Sequence, residues 1–167
     1  MIDENGGPVL ACMIRRVELE DASGVFALEQ ECFSDPYSES LIDHLLRTER
    51  DRFFVAVAND SGRIVGYTAA TINGRSAHLL SIAVHPLHRG QGIGTNLFSI
   101  VMKELLLSNA TQISLEVRET NLHAISFYSR MGFKEVSQIR HYYDDGEDAL
   151  VMKKTLTDPL KPSGDCL

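Results

Sequence analysis

The chain has 167 residues, of which 44% are hydrophobic and 23% are charged, as expected for one globular domain with one core. Its formal net charge of −7 argues against nucleic acid as a partner, because proteins that bind nucleic acid present a basic face. The same acidic balance is compatible with a cationic substrate such as a protonated peptide amine. No apolar run approaches the ~18 residues of a membrane span, so no membrane association is expected.

Cysteine usage and the N-terminal composition bear on the cellular compartment. The three cysteines, Cys12, Cys32 and Cys166, form no Cys-x-x-Cys pair and cannot all pair with one another. A disulfide framework or a zinc site is therefore not expected, and a reducing cytoplasm fits. The N-terminus lacks the basic and apolar segments of a signal peptide.

Hydrophobic periodicity and turn residues predict the elements of the first half of the chain. Residues 1–12 show no clear periodicity and are expected to form a flexible extension. The elements that follow are a strand at Met13–Val17, helices at Asp21–Glu31 and from Ser38 to Thr48, and strands at Phe53–Asn59, Arg63–Ile72 and Ala77–Val84. Pro36 separates the two helices, because the residue before a proline disfavours helix.

The second half alternates helices with strands, which gives a mixed sheet with helices on both sides, of the α/β or α+β class. The predicted elements are a helix at Ile93–Leu107, a strand at Ile113–Val117, a helix from the capping residue Asn121 to Met131, and strands at Phe133–Ile139 and Ala149–Lys153. Residues 156–167, which contain two prolines, are expected to form a frayed tail.

A glycine-rich turn separates the strand Ala77–Val84 from the helix Ile93–Leu107 and reads His88-Arg89-Gly90-Gln91-Gly92-Ile93-Gly94. Glycines let backbone N–H groups approach a ligand closely, and a helix N-terminus adds unpaired N–H donors with a partial positive charge. Arg89 adds a side chain of the kind that pairs with phosphate. The turn has neither the Walker pattern nor the dinucleotide-binding pattern. A plain strand-to-helix connection is the alternative interpretation.

Two segments of the chain resemble the GNAT superfamily of N-acetyltransferases. Arg89-x-x-Gly92-x-Gly94 is similar to the acetyl-CoA pyrophosphate loop of that superfamily. The second segment reads Leu115-Glu116-Val117-Arg118, then Asn121, then Ala124-Ile125-x-Phe127-Tyr128-x-x-x-Gly132-Phe133. It resembles the later motif of the members that acetylate protein N-termini, which are bacterial RimI and the archaeal and eukaryotic N-terminal acetyltransferases. The resemblance covers residues 13–155, which we therefore treat as the acetyltransferase domain.

The resemblance implies a GNAT fold, with a mostly antiparallel sheet of about seven strands whose fourth and fifth strands splay apart. The pantetheine arm of acetyl-CoA would bond to backbone groups in the fourth strand, and no metal is implied. The residues that the resemblance assigns to acetyl-CoA are Ile82, Ala83, Val84, Arg89, Gly90, Gln91, Gly92, Ile93, Gly94, Thr95, Asn121 and Tyr128. Helix capping alone would also explain Asn121.

Acetyl transfer from a thioester to an amine requires a base for the amine and benefits from an acid for the leaving thiolate. Glu116 alternates with apolar residues in its strand and matches the family base; a solvated strand residue is the alternative. The resemblance also implies that His78 holds a catalytic water with Glu116 and that Tyr128 is the acid. A strand-edge histidine and a packed aromatic are the respective alternatives. Cys32 could be a nucleophile, but its spacing favours a core position.

Two aromatic segments resemble the parts of N-terminal acetyltransferases that surround the peptide. Their candidate substrate-binding residues are Glu29, Phe33, Pro36, Tyr37, Tyr142 and Tyr143. The acidic run Asp144–Asp148 that follows is typical of a solvated turn, although it could attract a positively charged substrate.

We therefore expect an enzyme that transfers acetyl from acetyl-CoA to the α-amine of proteins or peptides by direct attack in a ternary complex. Ribosomal proteins are among the acceptors that the resemblance suggests. A lysine or small-amine N-acetyltransferase of the same superfamily, or a CoA-binding module without activity, are the alternatives. The sequence predicts neither the preferred first residue of the acceptor nor the oligomeric state.

Overall fold

The computed structural model describes residues 12–156, which contain seven strands and four helices. In chain order these are β1 (Cys12–Arg16), α1 (Ala22–Cys32), α2 (Glu39–Thr48), β2 (Phe53–Ala58), β3 (Ile64–Asn73), β4 (Ser76–Val84), α3 (Ile93–Leu107), β5 (Gln112–Arg118), α4 (Leu122–Arg130), β6 (Lys134–Ile139) and β7 (Ala149–Thr155). Short 3₁₀ turns at Leu19–Asp21, Arg50–Arg52 and Pro86–His88 precede α1, β2 and α3 respectively.

The strands are hydrogen-bonded in the order β1-β2-β3-β4-β5-β7-β6. The registered pairs β1–β2, β2–β3, β5–β7 and β6–β7 are antiparallel, and β4–β5 is parallel. This arrangement confirms the expected mixed α/β fold with a seven-stranded, mostly antiparallel sheet. The parallel pairs run from Ser76↔Gln112 to His78↔Ser114. The predicted splaying of β4 from β5 beyond these pairs stays a prediction.

The chain divides into two compact units, and the division falls within β3, β4 and α3. The first unit contains residues 12–71 and Leu80–Glu104. Its core forms where the apolar faces of α1 and α2 meet alternate residues of β2 and β3. The buried members of this core are Val17, Val25, Leu28, Ile42, Leu46, Phe53, Val55, Tyr67, Ala69 and Ala83. Ser38 caps α2 by accepting a hydrogen bond from the Leu41 N–H.

The second unit contains Ile72–Leu79 and residues 105–156. In β5, Ile113, Leu115 and Val117 are buried, whereas the alternate residues are partly exposed. The strand therefore turns its apolar side chains to one face and Glu116 to the other, as the sequence predicts. Asn121 caps α4 by accepting a hydrogen bond from the Ala124 N–H.

The predicted elements agree with the structure to within one or two residues at each end, and the differences have local causes. α1 begins at Ala22, one residue after the predicted start, because the Asp21 carboxylate accepts the Glu18 N–H and ends a 3₁₀ turn there. β1 begins at Cys12, so the last residue of the expected extension lies in a strand. The rest of that extension and residues 157–167 of the expected tail, with Cys166, lie outside the described residues.

Candidate functional site

A histidine and a glutamate form a close pair in the second unit. Parallel pairing of β4 with β5 places His78 opposite Ser114, two residues before Glu116. The His78 Nε2 and Glu116 Oε2 atoms lie 2.5 Å apart. The side chains keep 35% and 19% of their surface exposed, respectively. This separation is within hydrogen-bond distance, and which of the two side chains donates depends on the histidine tautomer. The structure therefore brings together the predicted base and its predicted water-holding partner where solvent can reach them.

Two tyrosines of the segment between β6 and β7 lie near this pair. Burial, and then the negative charge of Glu116, raise the pKa of Tyr142 above its usual value. Burial raises the pKa of Tyr143 to about 12, although the positive charge of Arg118 opposes the shift. Their rings meet edge to face at 5.1 Å. Both phenols are therefore neutral near pH 7 and suit aromatic walls beside Glu116 better than they suit proton acceptors.

Arg118 fixes the segment that carries these tyrosines. Its guanidinium lies 3.9 Å from the centroid of the Tyr143 ring. Its Nη1 lies 2.7 Å from Asp145 Oδ2 and 2.6 Å from Glu147 Oε2. The backbone N–H groups of Tyr142 and Tyr143 both donate to the Glu147 carbonyl oxygen at 3.1 Å. Two of the acidic side chains expected in a solvated turn are thus paired with an arginine of β5.

Arg118 was not among the expected site residues, although two features of the sequence point to it. Arg118 lies two residues after Glu116 and therefore on the same face of β5. An acidic run that includes Asp145 and Glu147 follows the two tyrosines, and it supplies charge opposite to that of the guanidinium.

Tyr128 retains both of its predicted interpretations. It is 8% exposed and lies in α4. Its ring meets Phe127 at 5.5 Å and Phe133 at 5.7 Å, in each case edge to face. Such packing holds the ring in one orientation, which suits a core aromatic as well as an acid that must be positioned.

The glycine-rich turn belongs to the first unit and joins β4 to α3. Gly90 and Gly92 adopt φ values of +76° and +80°, which glycine tolerates far better than other residues. A Cβ added at Gly90 would meet no atom within 4 Å. Arg89 donates from Nε to the Val84 carbonyl oxygen at 3.0 Å, and its guanidinium also interacts with the Cys32 side chain at the end of α1. Arg89 precedes the N-terminus of α3 by four residues in the chain, and both an arginine and a helix N-terminus are groups that can bind phosphate.

The other residues predicted to contact acetyl-CoA differ in exposure. In β4, Ala83 is buried whereas Ile82 and Val84 are partly exposed. In the turn and the first turn of α3, Ile93 is buried, Gly94 is partly exposed, and Arg89, Gln91, Gly92 and Thr95 are exposed. The exposed positions leave this turn open to a ligand.

The second predicted substrate segment, the 33–37 loop (Phe33–Tyr37), follows α1 in the first unit. Phe33 is 37% exposed, and Pro36 and Tyr37 are partly exposed. Glu29, by contrast, is 2% exposed. The Tyr67 hydroxyl donates to Glu29 Oε1, and the Tyr37 N–H donates to Oε2 at 2.8 Å. Tyr67 is 1% exposed in β3, and its spacing there is that of a core residue, so no role in the site was expected of it.

The two described cysteines do not have the properties of catalytic nucleophiles. Cys12 and Cys32 are free cysteines, the first buried and the second partly buried. Burial raises the pKa of the Cys32 thiol, which disfavours the nucleophilic thiolate.

Among residues 12–156, no group of three or more histidine, cysteine or acidic side chains is arranged to hold a metal ion. Within the same residues, each helix is too short or too polar to serve as a membrane span.

Comparisons with known proteins show the family of this chain. A family model described as the acetyltransferase (GNAT) family matches residues 22–133. An uncharacterized N-acetyltransferase of Methanocaldococcus jannaschii is 37% identical over 143 residues, 85% of this chain and 90% of that protein. An N-alpha-acetyltransferase of Sulfurisphaera tokodaii is 35% identical over 156 residues, 86% of this chain and 92% of that protein.

A solved structure gives the same assignment. The crystal structure of Ard1 from Thermoplasma volcanium matches with a TM-score of 0.84 and 28% identity, covering 89% of this chain and 99% of that one. The chain therefore belongs to the GNAT family of acetyltransferases and is an acetyl-CoA-dependent N-acetyltransferase.

Proposed function

We propose that this enzyme acetylates the α-amine of proteins or peptides. The observation that carries the proposal is the 2.5 Å contact between His78 Nε2 and Glu116 Oε2. A partly exposed histidine–carboxylate pair can take a proton from an amine, either directly or through a water molecule. Likeness to the N-alpha-acetyltransferase of Sulfurisphaera tokodaii supports the same class of acceptor.

The proposed mechanism is direct attack in a ternary complex. When bound, acetyl-CoA supplies the acetyl group as a thioester. Glu116, with His78, accepts the proton of the attacking amine, and Tyr128 holds a proton for the leaving thiolate. Cys32 takes no part. Tyr142 and Tyr143 are proposed to line the path of the acceptor beside Glu116.

The cofactor residues are proposed by the chemistry of their groups. Arg89 and the backbone of residues 90–95 would bind the pyrophosphate, and backbone groups of Ile82, Ala83 and Val84 would bind the pantetheine arm. Asn121 and Tyr128 are proposed as further contacts. The positive φ values of Gly90 and Gly92 support this assignment, because an open, glycine-containing turn exposes its N–H groups.

Proton chemistry favours an α-amine over a lysine side chain. The pKa of an α-amine is about 7.7–8.0, whereas that of lysine is about 10.4. Near pH 7 an α-amine is therefore neutral several hundred times more often than lysine. A base of moderate strength, such as Glu116 or His78, is sufficient for the α-amine.

The test uses peptides that carry a free α-amine and an internal lysine, with mass spectrometry to locate the acetyl group. We expect label on the α-amine and a kcat that falls by about 100-fold or more in Glu116→Gln, the range for general base catalysis. The matched control is Glu135→Gln, which removes an exposed glutamate from β6 and should leave kcat unchanged. Label mainly on lysine would replace this proposal with a lysine acetyltransferase, and a Glu116→Gln enzyme with full kcat would contradict the mechanism.

A second experiment tests the cofactor turn. Gly92→Glu places a side chain and a negative charge in the proposed pyrophosphate site, and we expect calorimetry to show loss of acetyl-CoA binding. Gly62→Glu is the control, since Gly62 also has a positive φ, +68°, and open space around its Cβ position. Equal affinity in the two folded variants would refute the assignment.

We also propose a cellular location and a class of acceptor for the enzyme. A cytoplasmic enzyme that acts on protein N-termini fits the free Cys12 and Cys32. Ribosomal proteins as acceptors stay a prediction.

A further inference from the structure

Glu29 is a buried acid whose partners are a phenol and a backbone N–H rather than a cation. It lies on α1 with 2% of its surface exposed, and its partner Tyr67 is 1% exposed on β3. Burial raises the pKa of Glu29, and hydrogen bonds from Tyr67 and from the Tyr37 N–H oppose that shift. A buried carboxylate is a poor source of stability, because desolvation offsets what its partners contribute. Its placement therefore calls for another explanation.

The bonds of Glu29 close both ends of the 33–37 loop. The Phe33 N–H donates to the Glu29 carbonyl oxygen at 2.9 Å. The Tyr37 N–H donates to the Glu29 carboxylate at 2.8 Å. One residue thus holds the first and the last backbone N–H of the loop, which fixes the path of the four peptide units between them.

The same carboxylate connects the loop to the strands of the first unit. The Tyr67 hydroxyl donates to Glu29 and lies 2.7 Å from Ser81 Oγ. Because a phenol has a single proton, Ser81 must donate in the second contact when Tyr67 donates to Glu29. The Tyr37 hydroxyl donates to the Leu80 carbonyl oxygen at 2.8 Å. The loop is therefore held to β3 through Tyr67 and to β4 through Leu80 and Ser81.

We propose that Glu29 is a positioning residue for the acceptor peptide, which acts through the Tyr37 backbone to hold the 33–37 loop in its peptide-binding conformation. Burial keeps its carboxylate away from the peptide, so its effect is indirect. Phe33 and Pro36, which are more exposed, supply the contacts. This inference rests on the proposed function, since it takes the loop as part of the peptide site.

The test compares Glu29→Met with Glu29→Gln. Methionine fills similar volume and accepts no comparable hydrogen bond, whereas glutamine can accept the Tyr37 N–H and donate to the Tyr67 oxygen. We expect Glu29→Met to raise the KM for the acceptor peptide about tenfold, the factor that corresponds to one hydrogen bond to a charged group. The KM for acetyl-CoA should change less than about twofold, below the effect of one such bond. Glu29→Gln should restore most of the peptide KM.

Hydrogen exchange of the Tyr37 amide tests the same contact without any substrate. Its protection should fall in Glu29→Met and return in Glu29→Gln. Unchanged protection in Glu29→Met would refute the hydrogen-bond argument. Lost protection with an unchanged peptide KM would refute the positioning role, and so would an equal rise of both KM values.

A wrong acceptor assignment and a wrong role for Glu29 would give different experimental results. If the wild-type enzyme acetylates lysine and no α-amine, the proposed acceptor is wrong whatever Glu29 does. The same comparison of KM values with a lysine acceptor peptide then decides whether Glu29 positions the acceptor.

Discussion

The 33–37 loop and the segment between β6 and β7 are held in place by different physical means. The 33–37 loop depends on Glu29 and Tyr67, which are 2% and 1% exposed. The segment between β6 and β7 depends on Arg118, whose ion-pair partners Asp145 and Glu147 keep 58% and 19% of their side-chain surface exposed. The first arrangement is a buried network of hydrogen bonds, and the second is a partly solvated ion-pair network with a cation–π contact.

This difference predicts how each segment responds to mutation and to solvent. Removing one hydrogen-bond donor from a buried carboxylate lowers the stability of the folded protein strongly, because no water molecule replaces that donor. Ion pairs near the surface contribute less, since water and salt screen the charges. The 33–37 loop should therefore be sensitive to single buried substitutions, whereas the segment between β6 and β7 should be sensitive to pH and ionic strength.

The largest effect is expected for Tyr67→Phe. It removes the hydroxyl that donates to Glu29 and leaves a buried carboxylate short of one donor. We expect the free energy of unfolding in urea to fall by about 2 kcal/mol, the range for a hydrogen bond to a charged group.

A double-mutant cycle separates this effect from lost packing. In the Glu29→Gln background the charge is absent, so Tyr67→Phe should destabilise the protein less. If Tyr67→Phe lowers the free energy of unfolding equally in both backgrounds, Glu29 and Tyr67 are not coupled. The 33–37 loop would then not depend on their hydrogen bond.

A smaller effect is expected for Arg118→Ala, which removes two ion pairs and the contact with Tyr143. We expect the KM for the acceptor peptide to rise by no more than about fivefold, since exposed ion pairs contribute little. Arg118→Lys should recover part of this loss, because lysine keeps the charge but cannot reproduce the planar contacts of the guanidinium.

Salt and a second arginine provide the controls for that prediction. Raising the salt concentration from about 0.1 M to 1 M shortens the Debye length from about 10 Å to 3 Å, and it should narrow the difference between wild type and Arg118→Ala. Arg47→Ala removes an exposed pair with Asp43 on α2 and should leave the peptide KM unchanged. A salt-independent difference would mean that Arg118 acts mainly through packing on Tyr143.

The parts of this comparison that depend on local pattern were predictable from the sequence. Periodicity predicted α3 at Ile93–Leu107 as it is observed. Alternation in β5 placed Glu116 opposite the buried face of its strand. The Ser38 and Asn121 caps follow from side chains that bond a backbone N–H three residues later, which is information that a short window of sequence contains.

The contacts that distinguish the two segments were not predictable in the same way. Tyr67 follows Glu29 by 38 residues, and Glu147 follows Arg118 by 29. In β3 the spacing of Tyr67 is that of a core residue, and only the tertiary fold brings its hydroxyl to a carboxylate. The resemblance selected Glu29 as a substrate residue, but no sequence pattern shows that its side chain is buried and turned toward Tyr37.

A change of pH should have the smallest effect, but it should distinguish the 33–37 loop from the segment between β6 and β7 most clearly. Hydrogen bonds from the Glu147 N–H and from Arg118 hold the pKa of Asp145 below its usual value. The Thr120 hydroxyl, and then Arg118, lower the pKa of Glu147. A carboxyl whose pKa is lowered by folding contributes stability above its unfolded pKa of about 4, and this contribution is lost as the pH falls through the folded value. Burial raises the pKa of Glu29, so its contribution has the opposite sign: it is present at low pH and lost as the pH rises through the folded pKa.

Acidification from pH 7 to below about pH 4 should therefore destabilise the segment between β6 and β7 and leave the 33–37 loop in place. Amide exchange, corrected for its intrinsic pH dependence, should show falling protection at Tyr142 and Tyr143, whose N–H groups donate to the Glu147 carbonyl oxygen. Protection at Tyr37 should persist, because a protonated Glu29 can still accept its N–H and can donate to Tyr67. In Arg118→Ala the acid sensitivity of Tyr142 and Tyr143 should shrink. Earlier loss of protection at Tyr37 than at Tyr143 would reverse the contrast and show that the ionised form of Glu29 is what holds the 33–37 loop.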